Sequence, residues 1–306
     1  MNARNRLMIR VTSFAAVAAI GLFFAPQAFS HALCKGILPP NDMKIPVGAK
    51  VKVSGQYGAQ MLGGGLTEAQ FNAVLDKVEK IYAPIVAQAG GKYEIKRNWT
   101  DGTVNAYADR DDGNWTINMF GGLARHPLVT EDGFALVACH ETGHHLGGAP
   151  KISGWMGSDW AADEGAADYY GTLKCIRRYF AGDDNAAIVG KQILDPTVEA
   201  KCKVQFNNVD DQLICERASF ASQSLANLLA ELGKSGTPSV STPDKNVVDQ
   251  TYDGHPAAQC RLDTYLAGSF CHVDVSAQLS ETDYHQGSCS QPQDTEGWRP
   301  LCWFKP

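Results

Sequence analysis

His140-Glu141-Thr142-Gly143-His144 follows directly on the apolar run Phe134-Ala135-Leu136-Val137-Ala138-Cys139, and this stretch sets the fold. On a helix, residues four apart share a face. Both imidazoles can therefore bind one zinc ion while Glu141, between them, points at the water the ion holds. The apolar run places this helix in a core, where unpaired polar groups are costly. Two histidines on a solvated helix face are thereby excluded.

Two histidines leave a catalytic zinc one protein ligand short. A third histidine six residues after His144 would supply it, but that position is Pro150. The other solution is a glutamate on a following helix. Glu164 stands twenty residues past His144, and Asp168 lies one turn beyond it on the same face. This spacing offers Glu164 as the third ligand and Asp168 as the carboxylate that holds a ligand histidine, His140, by its second nitrogen.

Outward from this core, Thr67-Glu68-Ala69-Gln70 is a capping box, followed by Phe71, Val74, Leu75, Val78, Ile81, Tyr82, Ile85 and Val86 at helical spacing. Gly90-Gly91 ends that helix. Lys92–Trp99, Val104–Ala108 and Trp115–Phe120 read as strands, the last two joined by a turn at Asp111-Asp112-Gly113. Further helices are predicted over Asp163–Phe180, Asp210–Leu232 and Ala257–Ala267. Ser235–Asn246 reads as a linker or exposed loop. Helix, strands, then helices predict an α+β arrangement rather than a wound parallel sheet.

The N-terminus carries Arg4, Arg6 and Arg10 before the uncharged apolar run Val11–Phe24, then Ala28-Phe29-Ser30. That is the pattern of a secretory signal peptide over residues 1–30, with cleavage after Ser30 favoured over Ala32. Its apolar run is too short for a comfortable membrane span, and no later stretch is long enough. Leu33 is too bulky for a lipoprotein signal at Cys34. The domain reading is thus a leader at 1–30, a catalytic domain at 31–234, the linker at 235–246, and a Cys-rich segment at 247–306 packing on the catalytic domain. Nothing in the sequence sets an oligomeric state.

The formal charge is −6, from 27 Lys+Arg against 33 Asp+Glu; loss of three leader arginines leaves 24 − 33 = −9. Such a chain is not expected to bind nucleic acid. Nine cysteines suit an exported, periplasmic or secreted protein, where disulfides persist. Cys34, Cys175, Cys202, Cys215, Cys260, Cys271, Cys289 and Cys302 make an even eight, with 105 arithmetically allowed pairings. Cys139, beside the first ligand, is expected buried and reduced.

His-Glu-x-x-His followed by Glu-x-x-x-Asp resembles the gluzincin pattern. Val104-Asn105-Ala106-Tyr107-Ala108, Ile117-Asn118-Met119-Phe120-Gly121-Gly122-Leu123 and His255-Pro256 with Arg261 resemble segments of the HtpX and CAAX prenyl protease branch. The resemblance covers about Thr67 to Gly268 in the same order, without that branch's membrane helices. It implies a zincin-like fold: a small mixed sheet with an edge strand, packed on the active-site helix. It also implies one zinc ion per chain and an exported zinc metalloendopeptidase with Glu141 as general base. On the resemblance, His255 and Arg261 are candidates for the oxyanion donor, with Tyr169 or Tyr170 as alternatives. Ile117, Asn118, Met119 and Phe120 are expected to form the edge strand to which an extended peptide or unfolded protein substrate adds. His145 faces elsewhere on the helix and reads as a packing residue. An exported binding protein with a structural zinc site, and a zinc hydrolase of other amides or esters, are the competing functions.

Overall fold

The computed structural model describes residues 36–53, 65–152 and 160–306. The leader and Cys34 lie outside the described residues. Nine α-helices and three strands are formed among those described. They run in chain order: α1 (Glu68–Gln88), β1 (Lys92–Asn98), β2 (Ala106–Asp111), β3 (Asn114–Phe120), α2 (Gly121–Ala124), α3 (Glu131–Leu146) and α4 (Glu164–Tyr170). A π-helical turn, Gly171–Cys175, leads into α5 (Ile176–Phe180), α6 (Asn185–Val189), α7 (Pro196–Gln205), α8 (Val209–Gly233) and α9 (Ala258–Phe270). The fold is α+β, with one small mixed sheet.

The capping box at Thr67 and Gln70 forms as read, and α1 buries Phe71, Val74, Leu75, Val78, Tyr82 and Val86. That face packs on β1 and α3. Helix α3 presents almost no face to solvent: every residue from Gly133 to His145 is buried. It is enclosed by α1, β2, β3, α4 and α8, which makes it the axis of the core. Thr130 caps its first turn, accepting from Gly133 N–H at 3.0 Å. Arg217 of α8 grips Asp132 in the same turn through bonds of 2.8 and 2.7 Å.

The sheet order is β1-β3-β2, with β3 parallel to β1 and antiparallel to β2. The strand expected at the edge, Ile117, Asn118, Met119 and Phe120, is therefore central and paired on both sides. Thr116 and Asn118 on this strand are both buried. Asn118 donates to Asp109 at 2.9 Å, so its amide needs no water. The outer strand next to α3 is β2.

Four disulfides join Cys139–Cys175, Cys202–Cys215, Cys260–Cys302 and Cys271–Cys289. This corrects the expectation that Cys139 is reduced. Cys139 is buried, but it points from α3 at the π-helical turn, with Cα atoms 5.4 Å apart. The odd cysteine by count is Cys34. The described residues belong to a single compact unit. Within it, residues 235–246 lie against α8 and α9: Ser239 and Gln259 exchange two bonds of 2.9 and 3.0 Å, and Gln223 donates to Pro238 O at 3.0 Å. Trp303 is fully buried in a cluster with Ala162, Ala166 and Cys260, so the C-terminal segment packs beneath α4. No helix among the described residues is long and apolar enough to cross a membrane.

Candidate metal centre

Gly143 allows α3 and α4 to touch. A Cβ there would lie 2.7 Å from Ala167 O, a clash with backbone that cannot yield cheaply. The crossing brings Glu164 and Asp168, one turn apart on α4, against the histidine face of α3. Asp163 starts α4 by accepting from Ala166 N–H at 2.7 Å. The expected residues therefore converge for a local reason: a side-chain-free crossing between two capped helices.

His140, Glu141 and His144 offer ligand atoms within 4.8 Å of one another. Glu164 joins them, with Oε2 at 3.3 Å from His140 Nε2 and Oε1 at 3.9 Å from His144 Nε2. Glu141 Oε2 stands 4.0 Å from His144 Nε2. All four side chains are at most 2% exposed. The far nitrogens set the tautomers. His140 Nδ1 donates to Asp168 Oδ1 at 2.7 Å, and His144 Nδ1 donates to Ala162 O at 2.8 Å. Each imidazole thus turns Nε2 toward the shared centre.

In this cluster six buried polar atoms have no hydrogen-bond partner: His140 Nε2, His144 Nε2 and both carboxylate oxygens of Glu141 and Glu164. Leaving one such atom unsatisfied costs about 1–3 kcal/mol. Four residues facing one another in this state mark a space for a cation. Two imidazoles and a carboxylate are a zinc donor set, and ligand bonds of about 2.1 Å at tetrahedral angles separate donors by about 3.4 Å. The 3.3 and 3.9 Å separations fit that requirement.

The electrostatics agree. Burial opposes a charged imidazole at His140, but Asp168 and Glu164 outweigh it and hold the group up to about 9. At His144 burial dominates and pulls it down to about 4. Burial pushes the Glu141 carboxyl up to about 8. Burial also works against a charged Glu164, yet the imidazoles hold it down to about 2. The centre favours positive charge beside Glu164, while burial favours the protonated form of Glu141.

Arg261 is fully buried beside the candidate ligands, its Nη2 3.9 Å from Glu164 Oε2. Its Nε and Nη2 each donate to Asp168 at 2.6 Å, and its Nη1 donates to Ile37 O. The geometry makes it a positioning residue for Asp168, rather than the oxyanion donor expected of it. His255 is partly exposed, at 11%. Its Nε2 is 3.5 Å from Glu164 Oε1 and donates to Gly36 O at 2.6 Å. It also lines a cavity of about 780 Å³ with Asp249, Tyr252 and Asp253. Tyr169 and Tyr170 point elsewhere: the first donates to Gly297 O at 2.5 Å, the second to Tyr82 Oη at 3.2 Å.

His145 is held between the rings of Trp115 and Trp160, at centroid distances of 5.6 and 4.9 Å. Arg110 of β2 donates to its Nδ1 at 3.2 Å and to its backbone O at 2.9 Å. Nε2 donates to Thr116 O at 3.1 Å, so the ring is neutral and pins the ligand helix to the sheet. Sequence reasoning missed Arg110 and Gly36. Neither carries a periodic or spacing signal, because both act through contacts distant in the chain. No protein-family profile, curated protein or solved structure matches this chain.

Proposed function

We propose that the chain is an exported zinc-dependent endopeptidase with a zincin-like arrangement of sheet and ligand helix. The observation that carries this reading is Glu141: a buried, unpartnered carboxylate next to an imidazole, imidazole and carboxylate donor set. His140, His144 and Glu164 would hold the ion. When bound, zinc supplies Lewis acidity that polarises a scissile carbonyl and makes a nearby water acidic. Glu141 takes the proton of the attacking water and delivers it to the leaving amine. His255 is the better-placed candidate to donate to the developing oxyanion. Asp168, backed by Arg261, fixes the His140 tautomer.

The docking strand for substrate moves from β3 to β2. Ala106 O points outward, since it accepts from Ile37 N–H. With period two, Ala108 and Arg110 turn their backbone groups the same way. An extended segment can add there through main-chain bonds that read little sequence, which suits unfolded protein as the substrate class. Four disulfides support an oxidising compartment.

A structural metal site is the second reading, favoured by the near-complete burial of all the donors. Such a site has no use for Glu141. Incubation of the zinc-loaded protein with unfolded casein decides between them. Cleavage that a chelator abolishes, and that Glu141→Gln lacks while retaining zinc, supports the peptidase. Bound zinc with no cleavage by either protein favours the structural site.

A further inference from the structure

The burial that favours a structural site has a local source in the chain's own N-terminal segment. Residues Gly36–Leu38 run beside the outer strand β2 and meet the candidate centre at three points. Ile37 N–H donates to Ala106 O at 3.0 Å, on the edge assigned to substrate. Gly36 O accepts from His255 Nε2 at 2.6 Å, the nitrogen assigned to the substrate oxyanion. Ile37 O accepts from Arg261, which backs Asp168. Asn105 clamps the next residue, accepting from Leu38 N–H and donating to Leu38 O, each at 3.1 Å. Ile37 and Leu38 are buried at 0% and 1% exposure.

Two of these contacts, at Ala106 O and at His255, are ones that a peptide substrate would make. One backbone N–H donates to the β2 edge, and a carbonyl takes the His255 donor beside the candidate ligands. Gly36 is suited to this approach: at φ +85° it lies so close that a Cβ would sit 2.6 Å from Ala106 O. A side chain is excluded by both the backbone conformation and the contact.

Resting on the peptidase reading, we infer that Gly36–Leu38 is a pseudosubstrate strap that holds the enzyme latent by occupying the β2 edge and the His255 donor. Activity requires the strap to leave, by displacement or by proteolytic removal. A substrate then competes with a tethered segment, so the apparent affinity falls by the fraction of molecules with the strap released.

The test loosens the strap without touching the centre. Gly36→Ala introduces the clash, and Asn105→Ala removes both bonds to Leu38. Thermal melting confirms that each zinc-loaded variant is folded, and hydrogen exchange reports release of residues 36–38. Two readouts follow: the rate at which a chelator extracts zinc, and turnover of unfolded casein. Both are expected to rise about tenfold, the weight of one or two hydrogen bonds. A synthetic peptide of residues 36–42 is expected to inhibit the loosened variants competitively.

Faster exchange at 36–38 with unchanged zinc extraction and unchanged turnover would overturn the strap and make it a structural tie. Zinc extraction is read whether or not any protein cleaves casein. If no form cleaves, the peptidase reading fails, and the latency proposal falls with it even where the strap proves to cover the metal.

Discussion

Arg261 and Asp168 meet through two parallel bonds of 2.6 Å, and the same carboxylate accepts from His140 Nδ1 at 2.7 Å. The pair is fully buried, so the guanidinium acts in a region of low dielectric where it cannot be replaced by water. It holds the carboxylate well below its usual range against the opposing effect of burial. The ligand imidazole is thereby fixed before any metal arrives. Asp168→Asn is expected to weaken zinc binding by about 10–100-fold, the usual effect of losing a ligand's supporting carboxylate. Competition with a chromophoric chelator measures it. Arg261→Lys, which keeps charge but not the two-pronged geometry, should move affinity in the same direction. Unchanged affinity in both would mean that the pair serves stability alone.

Glu141 and Glu164 are both buried carboxylates within 4.0 Å of His144 Nε2, yet they carry different assignments. Glu164→Gln should lose most bound zinc, because the third ligand then lacks a negative charge. Glu141→Gln should retain zinc at one ion per chain and lose turnover by at least about 100-fold, the scale of general-base catalysis. Zinc content by atomic emission separates the two. Full zinc in Glu164→Gln would remove it from the ligand set.

The site residues were legible because their geometry is local. His140 and His144 are four apart on one helix, as are Glu164 and Asp168, and helical spacing alone puts each pair on one face. The sheet order was not, because edge or centre is decided by partners far along the chain. Strand β3 alternates Thr116, Ile117, Asn118 and Met119, and all four are buried. The Asn118 amide donates to Asp109 of β2, and His145 of α3 donates to the Thr116 carbonyl. Helices α6 and α7 were missed between Phe180 and Asp210, where segments are short and weakly amphipathic. A usable signal did exist at Asp195-Pro196, where the aspartate caps Thr197 N–H at 2.7 Å and the proline opens α7. Cys139 was misassigned by arithmetic: nine cysteines leave one over, and proximity to a ligand is no guide to which.

The Cys139–Cys175 bond ties the residue before His140 to the turn after Asp168, across 36 residues of chain. Closing a loop of that size constrains the unfolded chain by about 3–4 kcal/mol. Cys139→Ala with Cys175→Ala should therefore lower unfolding stability by that order in metal-free protein, measured from urea midpoints. Both sulfurs are fully buried, so the native protein should show no alkylation at either position before reduction. A midpoint unmoved by the double substitution would mean the bond stabilises nothing that packing does not already hold.

His126 gives the fold an acid-sensitive point outside the metal centre. It is fully buried, with Nδ1 accepting from Leu128 N–H at 3.2 Å and Nε2 lacking a partner. Burial pulls it down to about 4, against a small opposing effect of Glu231. Between the unfolded value near 6.5 and this folded value, the unfolded chain binds the extra proton. Stability from this group is present above about pH 6.5 and is lost as pH falls toward 4. The loss is on the order of 3 kcal/mol across that window. In His126→Asn, a side-chain oxygen can take over the bond from Leu128 N–H without titrating. Metal-free unfolding midpoints at pH 7 and pH 4.5 should therefore differ less in the variant than in the parent. An equal drop in both proteins would place the acid sensitivity at other groups.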